Sequence, residues 1–102
     1  MIAAIDSIRG ELDDLCREFG VYRLDVFGSA VRQDEEDKVN DYDFLVEFLP
    51  GALQAYSDNY FGLLEALERL FGKPVDLVVA SAITNPYFLE SVQATRELVY
   101  EA

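Results

Sequence analysis

The chain has 102 residues, 51% of them hydrophobic and 13% aromatic, enough for a single domain spanning 1–102 and too few for a second core. Its 20 acidic against 8 basic residues give a net charge of -12, which disfavours direct binding of nucleic acid or of an anionic membrane, since both require Lys and Arg against phosphate. The absence of histidine excludes Ser-His-Asp and Cys-His nucleophilic sites and His-ligated zinc, and the single cysteine, Cys16, excludes an intrachain disulfide. Chemistry here has to rest on carboxylates, hydroxyls, backbone amides and a few Arg or Lys. The N-terminal residues carry no basic leader, and no window reaches the ~18 apolar residues of a membrane span, so a soluble cytoplasmic protein is expected.

Ile5, Ile8, Leu12, Leu15, Cys16 and Phe19 recur at spacings of three and four, which predicts an amphipathic helix ended by Gly20. Val21 to Phe27 turns β-branched and aromatic and predicts a strand, closed by Gly28-Ser29, with Ala30-Val31-Arg32 opening a short helical turn. Residues 33–40 form a polar, mostly acidic loop, and the run Asp34 to Asp37 fits a solvated loop tip or a docking patch. Asp41 to Phe48 reads as a second strand, stopped at Pro50-Gly51. Helical spacing returns at Tyr60, Phe61, Leu63, Leu64, Leu67, Leu70 and Phe71, and Gly72 and Pro74 end it. Tyr60, Phe61 and Phe71 are expected to be core, as is Cys16, and Lys73 suits the helix C-terminus. Val75 to Val79 is nearly all apolar and predicts a buried strand. Asn85-Pro86 starts a last helix through Leu89, Val92 and Thr95, with Leu98 to Tyr100 as a short final strand. The order describes a small mixed α/β (α+β) domain, its sheet flanked by helices.

Three features carry possible chemistry. Asp41 and Asp43 stand two apart at a strand start, so their side chains point to one face; they are either a solvated loop-to-strand edge or a pair whose mutual repulsion a divalent cation relieves. Hard oxygen ligands suit Mg²⁺ or Mn²⁺. Asp76 interrupts an apolar strand; it is either an edge-strand carboxylate facing water or, if its strand adjoins the first pair, a third ligand. Gly28 permits a close backbone approach, and the amides after it, with the Ser29 hydroxyl, fit a phosphate cradle. Arg32 could contact a phosphate or pair with the acidic loop.

Val26-Phe27-Gly28-Ser29-Ala30-Val31-Arg32, the acidic loop and Asn40-Asp41-Tyr42-Asp43-Phe44-Leu45-Val46-Glu47-Phe48 together resemble the signature of the minimal nucleotidyltransferases, within the DNA polymerase beta-like nucleotidyltransferase superfamily. The similarity continues through Gly72-Lys73-Pro74-Val75-Asp76-Leu77-Val78 and Asn85-Pro86-Tyr87-Phe88. The loop between Ser29 and Asp41 is one residue longer than the commonest family spacing, with Gln33 in place of a frequent glycine and Asn40 in place of serine. The resemblance implies a polymerase beta-like fold, nucleotide binding at Gly28 and Ser29, and two Mg²⁺ (or Mn²⁺) on Asp41, Asp43 and Asp76. It further implies an antitoxin of the HEPN/MNT type, which moves AMP from ATP to a tyrosine of a basic HEPN-domain ribonuclease toxin within a hetero-oligomer. The alternatives are an antitoxin that acts by occlusion alone and a transferase for a small molecule.

Overall fold

The computed structural model describes residues 3–32 and 38–102, so the run Asp34 to Asp37 lies outside the described residues. Helices α1 (Ala3–Ser7) and α2 (Arg9–Glu18) lead into β1 (Val21–Phe27) and the short α3 (Ser29–Arg32). Strand β2 (Tyr42–Phe48) is followed by a 3-10 turn (Pro50–Ala55), α4 (Tyr56–Phe71) and β3 (Val75–Val79). A second 3-10 turn (Ala80–Ala82), α5 (Pro86–Thr95) and β4 (Glu97–Glu101) complete the chain.

The expected first helix is two helices. Ile8 leaves helical geometry (φ -121°, ψ 18°), and its amide bonds Ile5 at the tighter i to i+3 spacing, 3.2 Å. A β-branched residue beside Gly10, a poor helix former, makes this the weak point of the segment. The other boundaries follow local chemistry. Gly72 closes α4 in the left-handed region (φ 68°), and the Asn85 side chain caps α5 by accepting from the amides of Tyr87 and Phe88 at 2.9 and 3.3 Å.

The four strands lie in the order β3-β2-β1-β4, with β1 antiparallel to β2 and β4, and β2 parallel to β3. Because side chains alternate along a strand, the sheet has two distinct faces. One holds the main core: Leu24, Val26, Phe44, Val46 and Leu77 pack on Ile5, Leu12 and Cys16 from α1 and α2 and on Leu63 and Leu67 from α4. Gly62 allows that closeness, since a Cβ there would fall 2.4 Å from the Phe19 ring. The opposite face carries a smaller cluster of Phe27, Leu45 and Val92, with Val78 and Ile83 against it. Only Val92 of α5 is buried, so this second face is covered lightly.

Three expectations change. The apolar strand β3 is an edge strand with Leu77 its one buried residue, because the sheet ends there. Phe61 is 58% exposed: it projects about 100° around the helix from Tyr60, away from the side that Leu63 and Leu67 bury. Lys73 does more than face the helix terminus, for its ammonium donates to the Val39 carbonyl at 2.6 Å and so ties the end of the acidic loop to the α4–β3 turn. Cys16 is core as expected, and burial pushes its thiol up to about 12. Among the described residues no helix is long and apolar enough to cross a membrane.

Candidate active site

The second face of the sheet gathers the carboxylates. Asp43 pairs in register with Phe27 on β1 and with Asp76 on β3, and residues directly opposite in a sheet project to the same side. The edge position of β3 resolves the burial problem of Asp76, which is exposed and needs no buried partner. Asp43 is half-buried, and its carboxyl is held above the ordinary range, first by burial and then by the negative charges of Asp41 and Asp76. Asp41 lies one residue before β2 and is exposed. The turn before it is fixed by the Tyr42 amide on the Pro74 carbonyl at 3.0 Å and by Lys73 on Val39.

Gly28 ends β1 with φ 77°, a conformation that disfavours any side chain. It also lies flat against Asp43: a Cβ at position 28 would fall 2.6 Å from Asp43 Oδ2. Glycine is therefore required twice over, by the turn and by the approach of the carboxylate. Ser29, exposed, opens α3 directly after it, and Arg32 at the end of that turn is exposed as well. Tyr60 of α4 borders the site from the edge, donating its hydroxyl to the Leu77 carbonyl at 2.6 Å. Burial raises its pKa, with the Asp76 charge adding to the effect.

The donor set suits a hard divalent cation. All three candidate ligands are carboxylates, and the negative charges of Asp41 and Asp76, which add to burial in raising Asp43, are what such an ion would neutralise. Among the described residues no three acidic side chains converge on one point. Asp43 and Asp76 are brought together by the strand register; Asp41 stands beside them at the mouth of the strand. A groove of about 400 Å³ lined by Glu47, Phe48, Leu53, Tyr56 and Val79 lies at the other end of β2 and β3, away from the carboxylates.

Four residues next to this site escape a reading of the sequence. Asp25 is fully buried on the same face and takes the Arg96 guanidinium on Oδ2, with Nε at 2.5 Å, and Arg23 Nε on Oδ1 at 3.1 Å. Thr95 Oγ1 accepts the Gly28 amide at 2.8 Å. The signal for Asp25 was weak, because a strand reading places Arg23 and Asp25 together on a solvated side.

A family model described as a nucleotidyltransferase domain matches residues 8–99. The protein adenylyltransferase MntA of Thermococcus cleftensis is 36% identical over 89 residues, which are 85% of this chain and 81% of that protein. A solved structure described as a minimal nucleotidyltransferase is 30% identical, with a TM-score of 0.68 over 90% of this chain and 89% of the other. A chain from the structure of tri-AMPylated Shewanella oneidensis HEPN toxin in complex with MNT antitoxin matches in fold, with a TM-score of 0.62 at 16% identity over 96% of this chain and 73% of that one.

Proposed function

Because this chain belongs to the nucleotidyltransferase-domain family, we propose that it is an antitoxin enzyme that transfers AMP from ATP to a tyrosine hydroxyl of a basic HEPN-domain toxin. The observation that carries the reading is the register that sets Asp43 beside Asp76 and flat against the Gly28 turn. It supports a reading in which a phosphate-holding turn and a cation-holding carboxylate set share one patch of one sheet face. The name of the 36% identical relative, a protein adenylyltransferase, supports the class of acceptor, and the AMPylated HEPN toxin solved with an MNT antitoxin supports its kind.

In this reading the Ser29 hydroxyl and the amides of the turn hold the triphosphate, and Gly28 keeps side-chain bulk away from it. Asp41, Asp43 and Asp76 would hold two Mg²⁺ or Mn²⁺. Bound there, the ions supply charge neutralisation on the phosphate oxygens and lower the pKa of the acceptor hydroxyl. The acceptor hydroxyl gives up its proton to solvent, its oxygen forms a bond to the α-phosphorus as the bond from that phosphorus to the bridging oxygen of the β-phosphate breaks, and pyrophosphate leaves with the electron pair. The sheet edge at β3 leaves Asp76 open to solvent, so a protein acceptor can approach from that side. The net charge of -12 favours a basic partner and opposes a free nucleic-acid acceptor.

Calorimetry with ATP tests the metal-bridged part of this reading. Affinity should fall at least about tenfold when a chelator replaces Mg²⁺, because three carboxylates otherwise face a polyanion. Equal affinity in both conditions would contradict it.

A further inference from the structure

We infer that Thr95 is a positioning residue for the nucleotide loop, its hydroxyl setting the orientation of the peptide that carries the Gly28 amide. The inference rests on the reading of Gly28-Ser29 as that loop, and it assigns the task to a side chain from the far end of the sequence. The ladder between β1 and β2 ends at Phe27 opposite Asp43, so the next amide, that of Gly28, has no strand partner in that ladder. Thr95 Oγ1 accepts it at 2.8 Å, across 67 positions of sequence. A buried or half-buried amide needs an acceptor, and here the acceptor fixes where the turn begins.

Thr95 is itself held on three sides. Val92, one turn earlier in α5, is fully buried against Phe27 and Leu45. Arg96, the next residue, is anchored on the buried carboxylate of Asp25. The Thr95 hydroxyl also donates to the Ser91 carbonyl at 3.4 Å, which leaves its lone pairs for Gly28. The end of α5 is thus tied to β1 at Asp25 and to the loop at Gly28 by consecutive residues. Gly28 in turn lies against Asp43, so a rotation of this peptide would disturb the carboxylate as well as the turn. One hydroxyl therefore sets the spacing between the phosphate-binding turn and the acidic set.

Thr95→Val keeps the shape and removes the acceptor; Thr95→Ser keeps the acceptor. Two readouts are taken on the full chain: hydrogen exchange of the Gly28 amide without nucleotide, and the Kd for ATP in excess Mg²⁺ by calorimetry. In Thr95→Val the Gly28 amide should exchange about tenfold faster and ATP should bind about fivefold more weakly, the scale set by one hydrogen bond. Thr95→Ser should restore both to within about twofold of wild type. Unchanged Gly28 exchange or unchanged ATP affinity in Thr95→Val would overturn the inference, and so would a Thr95→Ser variant as weak as Thr95→Val, which would make packing the cause. A wild-type chain that binds no ATP with Mg²⁺ would instead remove the nucleotide-loop reading, and this inference with it.

Discussion

Asp43→Asn is expected to lower nucleotidyl transfer by about 10³-fold or more while leaving the fold intact and raising its melting temperature. The carboxylate sits in register with Asp76 and against Gly28, so an amide fits the space but brings no charge to offset a divalent cation. The stability effect has the opposite sign from the activity effect. Burial, and then Asp41 and Asp76, hold the Asp43 carboxyl above its unfolded value, so the fold favours the neutral form. That contribution is intact below the unfolded pKa and is lost as pH rises through the folded one. At neutral pH the metal-free wild type therefore carries an ionised group that the fold resists, and the asparagine variant does not. The gain is small because the group is half-buried and screened, about 2–4 °C at pH 7, shrinking as pH falls toward the carboxylate range. Thermal unfolding at two pH values and a transfer assay check both halves. Full activity would remove Asp43 from the ligand set, and a variant that melts lower at pH 7 would contradict the stability half.

Arg96→Met should destabilise the protein by about 3 kcal/mol, a loss of roughly 10–20 °C in melting temperature. Asp25 is 0% exposed, and Arg96 is the partner of its Oδ2 while Arg23 serves Oδ1. Without Arg96, half of a buried carboxylate loses its charged partner in a place that water does not reach. Arg23→Met should cost less, about 1 kcal/mol, since Arg23 is more exposed and meets Asp25 at a longer distance. Adding Asp25→Asn to Arg96→Met should recover part of the loss, because the orphaned charge is then gone. Urea or thermal unfolding of the two single variants and the double variant reads this directly. An Arg96→Met protein as stable as wild type would mean that the pair is not a structural anchor.

The elements that position the site were readable where local chemistry is decisive. Gly28 after an apolar strand, Asn85 before Pro86, and the placing of Asp43 and Asp76 near the heads of two strands are each legible within a few residues. The adjacency of β2 and β3 was not local. A run such as Val75-Asp76-Leu77-Val78-Val79 looks the same in the middle of a sheet or at its edge, so whether Asp76 is buried or solvated depended on the strand order. Asp25 was hidden for a related reason. Alternation assigns it to water, but β1 is an inner strand, and the end of α5 brings Arg96 over its second face. Thr95 looked like a weak apolar position of a helix, and only the return of α5 to β1 gives its hydroxyl a partner. The break at Ile8 is the reverse case, a local propensity overruled in the reading by a regular hydrophobic spacing.

The central claim is covalent transfer to a protein partner rather than occlusion of it. The most direct test is the intact mass of the proposed HEPN-domain partner, co-expressed with the wild-type chain or with the Asp41→Asn/Asp43→Asn double variant. The wild type should add one or more AMP groups, located on a tyrosine by peptide mapping, and the partner should stay inactive after this chain is removed, because a phosphodiester beside an RNA-binding site repels the RNA backbone. The double variant should leave the partner unmodified and active once separated. A partner of unchanged mass that is inhibited equally by both chains, and regains activity on separation, would contradict the account and leave occlusion as the mechanism.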